Sequence, residues 1–289
     1  MKIINNKNVS IKVNEKGAEL KSFNVSGKEY IWYSDPKFWS RSAPFLFPIV
    51  GSIKDKKTII NGKEYFLSQH GFLRDQEFVV KNEGSNFIEL ENTYSSNTLK
   101  MYPFIYKALI RYDIDEDTVK TSISITNLGE DMMPFNIGGH PAFNCPLEDN
   151  EKFSDYKIIF SDKETFASPR VCEGGLLDFS DPVYEKKDVK EIQLDKEIFT
   201  IDTILIPNIK SKEVKLVNKN GKGIEFKYND FSTLAIWTPY NDAPFICLEP
   251  WIGYNDKVDT NGQYLTKDSL IKLNKGETFN VSYTIRALK

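Results

Sequence analysis

The chain has 289 residues, of which 40% are hydrophobic, 27% charged and 13% aromatic; this is the balance of an ordinary globular protein and excludes a disordered or fibrous one. Its 38 Lys and Arg against 41 Asp and Glu leave a formal charge of −3, with no basic surplus to neutralise a row of phosphates, so nucleic acid is excluded as a dedicated partner. The N-terminal stretch has no apolar core of signal-peptide length, and no run approaches the roughly 18 apolar residues of a membrane span. The expectation is a cytoplasmic protein without a membrane partner.

Alternation of apolar and polar residues, the two-residue period of a half-buried strand, runs from end to end. It predicts strands at Ser10–Val13, Glu77–Lys81, Phe87–Glu91, Thr118–Thr126, Glu213–Val217, Ile224–Tyr228 and Phe279–Ile285. Hairpin-like breaks fall at Asn61-Gly62, 83–86, 115–117, Asn220-Gly221 and Lys275-Gly276. No segment carries apolar residues at i, i+3, i+4 and i+7 over three turns, so helices should be short and confined to connections such as 34–40 and 148–155. Without a composition break, a linker or an internal repeat, residues 1–289 read as one domain. The predicted fold class is all-β, a meander folded into two large antiparallel sheets packed face to face.

Cys145, Cys172 and Cys247 have no CxxC spacing, and their odd number argues against a disulfide framework; they read as reduced, mostly core thiols. The chain has 2 histidines, and both interrupt the alternation beside glycine: His70 in QHGFLR and His140 in NIGGHPAF. Glycine beside a polar side chain marks a turn or a close approach by another group. Both imidazoles are therefore either presented to a cavity or hydrogen-bonded structural residues, and imidazole suits proton transfer near neutral pH.

Three lone charges stand in apolar runs: Arg41 in RSAPFLFPIVG, Asp202 in FTIDTILI and Glu249 in CLEPWIG. A buried carboxylate must meet a cation, be protonated or face a polar cavity. Arg41 pairing with either carboxylate is the simplest structural account of all three. Trp237, Trp251 and Phe72 read as core aromatics or as rings for stacking on a sugar. The glycine pairs at 138–139 and 174–175 fit neither a dinucleotide nor a phosphate loop, and GxSxG and HExxH are absent. Two histidines without ligand spacing make a zinc site weak.

RSAPFLFPIVG, QHGFLRD, GGHPAFNCP, IDTILI and CLEPWIG, in this order between Arg41 and Gly253, resemble the aldose 1-epimerase (galactose mutarotase-like) family, and within it the LacX-like branch. The resemblance implies that family's large β-sandwich, no cofactor, and interconversion of the α and β anomers of an aldose through transient ring opening. By motif, Glu249 is similar to the family's general base and His140 to its general acid. His70 is similar to the second histidine that hydrogen-bonds the sugar, and Arg41 and Asp202 to residues that bind its hydroxyls. GGHPAFN departs from the longer Asn-His-x-Tyr-Phe-Asn pattern of the galactose mutarotases, which leaves the sugar open. QHGFLRD, with Arg74, is also similar to the motif of a branch acting on hexose 6-phosphates, where arginines hold the phosphate; a local ion pair of Arg74 with Asp75 is the other account.

The expected partner is a small hexose or hexose phosphate, bound by a monomer or weak homodimer. The alternatives are a hexose-6-phosphate 1-epimerase and a non-catalytic sugar-binding protein on the same fold. A glycoside hydrolase or lyase is disfavoured, because Asp202 and Glu249 match no paired-carboxylate motif.

Overall fold

Each alternating run lies wholly or largely in a strand, because alternate side chains of a strand point to opposite faces and one face here is apolar. Tyr106–Asp115 shows the pattern: Ala108, Ile110, Tyr112 and Ile114 are buried while the residues between them are half-exposed. It pairs antiparallel with Thr118–Asn127 across a two-residue turn at Glu116-Asp117, with Glu116 at φ 46°. The structure, a computed structural model, describes all residues from Met1 to Lys289.

Nine strands form the larger sheet, in the order Leu177–Gln193, Tyr156–Val171, Glu213–Asn218, Gly223–Lys227, Thr278–Leu288, Thr118–Asn127, Tyr106–Asp115, Phe87–Thr93 and Val79–Glu83. A second sheet of six strands runs Ile204–Pro207, Thr233–Trp237, Phe245–Ile252, Ile137–Gly139 and Phe45–Leu46, with Ala142–Asn144 also paired to Phe245–Ile252. The two sheets meet face to face, Phe45 against Tyr112 at 6.4 Å between ring centres and Phe143 against Phe226 at 5.8 Å. Their inner faces join one cluster of 65 buried residues from Ile4 to Ala287. Each fully buried Phe, Leu or Ile there contributes about 1.5–3 kcal/mol relative to an exposed one. This is the expected antiparallel all-β sandwich, flanked by a four-stranded N-terminal sheet and two two-stranded ribbons.

The six-stranded sheet departs from simple alternation in its strand Phe245–Ile252. Phe245–Ile252 is buried at every position except the last. Ile246 and Leu248 face the main core, while Phe245, Cys247 and Trp251 join separate small clusters on the opposite face. Glu249, by the two-residue period, shares that opposite face. A strand covered on both sides has no wet face to mark with polar residues, so its lone carboxylate stands out in the sequence.

Several local expectations are corrected. Residues 34–40 form no helix: Asp35–Trp39 make a single turn, closed by the N–H groups of Phe38 and Trp39 on the Asp35 carbonyl. Residues 148–155 hold only the 3₁₀ turn Phe153–Asp155. The one α-helix, Ser96–Met101, was not predicted; it is nucleated by a reciprocal cap in which Ser95 Oγ accepts from the Thr98 N–H and Thr98 Oγ1 from the Ser95 N–H. Lys275-Gly276 is not a hairpin, because Ile271–Leu273 pairs with Met133–Phe135 and the chain then crosses to the nine-stranded sheet. There Thr278–Leu288 inserts between Thr118–Asn127 and Gly223–Lys227 and interrupts the meander. All three cysteines are free, two of them buried. No helix is long and apolar enough to cross a membrane.

Candidate active site

The face of the six-stranded sheet turned away from the main core floors a cavity of about 350 Å³, within the range of about 300–1,000 Å³ usual for ligand sites. Glu249, His140, His70, Arg74 and Asp202 all line it, although they come from four separate stretches of the chain.

Glu249 stands opposite Ala235 in the ladder and is 1% exposed. His140 follows the strand Ile137–Gly139, its backbone N–H donating to the Pro44 carbonyl at 3.0 Å. The two glycines before it are explained by space. A Cβ on Gly138 would lie 2.7 Å from Cδ1 of Trp251, on the cavity side, and one on Gly139 would lie 2.9 Å from the Tyr283 ring of the other sheet. Only hydrogen fits at either position. The result is that His140 Nε2 lies 3.0 Å from Glu249 Oε2. Trp39 stacks on the imidazole at 4.7 Å and 27°, and Trp237 meets it edge-on at 5.8 Å, so the ring is clamped in plane.

Burial is the main force on both groups. It pushes the Glu249 carboxyl well up, with Asp202 adding to the effect, while Trp251 and Arg74 oppose it. It pulls the His140 imidazole down, with the positive charge of Arg74 acting the same way. Both shifts favour the uncharged pair, a carboxylic acid beside an imidazole, so one proton is held between two groups 3.0 Å apart. A pair that exchanges one proton can serve as base at one atom and acid at another.

His70 is fixed differently. Its Nδ1 accepts the Gly51 N–H at 3.0 Å and its backbone N–H donates to the Gly51 carbonyl at 2.8 Å. Burial, with His140 and then two arginines adding to it, holds the ring well below its ordinary pKa. A neutral ring whose Nδ1 accepts carries its proton on Nε2, which makes His70 a hydrogen-bond donor in the cavity wall. His70 has φ 65° and Gly71 φ 72°. A Cβ on Gly71 would lie 2.1 Å from the Phe47 carbonyl oxygen. Gly71→Ala should therefore destabilise the fold by more than the roughly 1–3 kcal/mol of backbone strain alone, read as a lower midpoint in chemical denaturation; an unchanged midpoint would show that this turn tolerates a side chain.

The charged groups at the mouth pair otherwise than expected. Arg41 meets neither Glu249 nor Asp202; its Nη2 donates to Asp75 Oδ1 at 2.8 Å, and neither residue lines the cavity. Asp75 is thus taken by Arg41 and is not the local partner of Arg74. Arg74 donates from Nη2 to the Gln69 carbonyl at 2.7 Å, while its buried Nε has no partner. Burial lowers its pKa to about 10, with Arg41 adding to the effect. Asp202 is exposed at the rim, with φ 76° and its Oδ1 accepting from Thr203 Oγ1 at 2.6 Å, so it escapes the burial constraint inferred from its apolar neighbours.

Trp237 and Trp251 line the cavity, whereas Phe72 is in the core against Phe47. Sequence reasoning missed Trp39, Gln69, Asn255 and the tip of the long hairpin, which brings Val171, Gly175 and Leu177 over the cavity. Trp39 stands two residues ahead of Arg41, the only sequence signal for it; the hairpin tip has none. His140, Cys247 and Glu249 place three ligand-type atoms within 4.8 Å of one another. Burial pushes the Cys247 thiol well up, against the thiolate that a metal requires.

Comparisons with known proteins show the family and the fold. The family model described as aldose 1-epimerase matches residues 1–286. The plasmid-encoded protein LacX of Lactococcus lactis subsp. lactis is 33% identical, over 99% of this chain and 98% of its own length. The structure of a galactose mutarotase related enzyme from Lactobacillus acidophilus superposes with a TM-score of 0.93 at 26% identity, covering 100% of this chain and 97% of that one. A galactose mutarotase-like protein from Lactobacillus casei gives 0.92 at 26% identity, covering 100% of both chains. The chain belongs to the aldose 1-epimerase family.

Proposed function

We propose that the protein is an aldose 1-epimerase, a mutarotase that interconverts the α and β anomers of a hexose. The observation that carries this reading is the buried Glu249 and His140 pair, 3.0 Å apart in a cavity of about 350 Å³ lined by Trp39, Trp237 and Arg74. Glu249 takes the proton of the C1 hydroxyl while His140 protonates the ring oxygen; the bond between C1 and the ring oxygen breaks and C1 becomes a carbonyl. Rotation about the adjoining C–C bond presents its other face, and the same steps in reverse close the ring as the other anomer. Protons balance over the cycle, and no oxidant, metal or cofactor enters.

In the empty site burial favours the proton on Glu249. A sugar changes that balance, since hydroxyls donating to a carboxylate favour its charged form. The Nε2–H of His70, Arg74 and the rim carboxylate of Asp202 then bind hydroxyls, with Trp39 and Trp237 covering the apolar faces of the sugar. Arg41 contributes by holding Asp75 and the segment beside Arg74.

The test follows anomeric relaxation of freshly dissolved α-glucose and α-galactose by polarimetry or NMR, with and without the protein. Acceleration is expected; a sugar that binds by calorimetry but relaxes at the unaided rate would leave a binding protein instead. A second substrate, a hexose 6-phosphate, is favoured by one observation: Arg74 has no carboxylate partner and a free buried Nε. With glucose 6-phosphate in parallel, Arg74→Leu should raise KM for the phosphorylated sugar about tenfold or more above its effect on glucose, the scale of a lost charged hydrogen bond. Equal effects on the two sugars would assign Arg74 to a hydroxyl.

A further inference from the structure

Trp251 stands two residues beyond Glu249 on the same face of the strand Phe245–Ile252 and lines the cavity, and nothing in the scheme above uses its polar atom. Its indole is held rigidly. The ring packs with Leu46, Val50, Leu177, Leu205 and Ala235, meets His70 edge-on at 5.9 Å, and fills the space that a Cβ on Gly138 would take. A buried tryptophan ordinarily satisfies its one donor. Here Nε1 is buried with no hydrogen-bond partner, whereas Glu249 Oε2 faces the imidazole Nε2 of His140 at 3.0 Å.

An orphaned buried donor is costly, and this one stands on the same face of the strand as Glu249, two residues along it. The mismatch has a chemical sense. A protonated carboxyl makes weak demands on a donor, whereas an ionised one is acceptor-only at both oxygens and bonds strongly to any N–H in reach. Among the neighbours of Glu249, Trp251 is the first to favour the charged form against burial and Asp202. We propose that Trp251 is a positioning residue for the anomeric base, its indole N–H held to donate to the ionised Glu249 carboxylate in the working form of the site. The bond fixes one carboxylate oxygen and leaves the other to the C1 hydroxyl. This rests on the assignment of Glu249 as base, which its own substitution tests separately.

Two variants are compared: Trp251→Phe, and Trp251 replaced by 3-benzothienylalanine, which keeps the bicyclic shape and lacks the N–H. In both, the alkaline limb of kcat/KM for anomer exchange, which follows loss of the Glu249 proton from the pair, should move to higher pH, with about a tenfold loss below it that recovers as pH rises. A uniform loss at every pH, or an unmoved limb in the isosteric variant, would overturn the proposal. Turnover persisting in Glu249→Gln would instead remove Glu249 as the base and leave the indole contact to be judged by NMR alone. In the 15N-labelled protein the Trp251 indole signal, one of 4 from tryptophan and identified by its loss in Trp251→Phe, should move with pH in the wild type and stay still in Glu249→Gln. A signal indifferent to pH in the wild type overturns the proposal even if no tested sugar is turned over.

Discussion

Glu249→Gln is expected to lower kcat for anomer exchange by about 10²–10⁴-fold, the usual contribution of a positioned acid or base, while hexose binding is largely kept. Glutamine has the shape of glutamic acid and retains an acceptor oxygen, but it cannot take up the C1 proton. The fold should not suffer, because burial already favours the uncharged carboxyl at a position 1% exposed, so the exchange removes no stabilising charge. Calorimetry with hexose, thermal unfolding and polarimetry on one preparation separate the three quantities. Turnover at the wild-type rate would place the base elsewhere; a collapsed melting transition would make the lost activity a folding effect.

His140→Asn is expected to lower turnover at least about tenfold and to change the pH dependence in a defined way. The working pair holds one proton. As pH falls, a second proton silences the base, and as pH rises, loss of the only proton removes the acid. The wild-type profile is therefore a bell whose two limbs belong to the pair and to neither residue alone. Because burial pulls the His140 imidazole down and pushes the Glu249 carboxyl up, the second proton adds to His140 and the acid limb should lie below the ordinary imidazole range, while the alkaline limb follows the raised carboxyl. Asparagine has nothing to titrate, so the alkaline limb should vanish and the acid limb should move up to that of the raised Glu249 carboxyl alone. A bell unchanged in height and width would take His140 out of the mechanism.

Much of this architecture was legible along the chain. The period of two placed the strands because antiparallel sheets with one wet face print their burial onto the sequence. The glycine-flanked histidines and the lone Glu249 stood out against that period, and the structure gathers both histidines, Glu249, Arg74 and Asp202 around one cavity. What misled were charges read for their nearest neighbours in sequence. Arg74 and Asp75 are adjacent, yet Asp75 pairs with Arg41. Asp202 sits among apolar residues, yet it lies at an exposed turn where the strand Ile204–Pro207 has not begun. Trp39 was passed over because an aromatic residue outside any alternating run looks like filler until its ring is seen on His140.

The sequence by itself determined the all-β class, most strand positions and the residue types able to exchange a proton, because these depend on local periodicity and on intrinsic chemistry. The tertiary structure decided the 3.0 Å contact of His140 with Glu249, the tautomer of His70 and the unpartnered indole N–H of Trp251. Each joins segments or faces that no local pattern connects. The face that Glu249 presents depends on its pairing with Ala235 and Trp251's with Gly138, and a slip of one residue would turn the carboxylate into the core. Its chemistry is thus a property of register, which only the closed sandwich specifies.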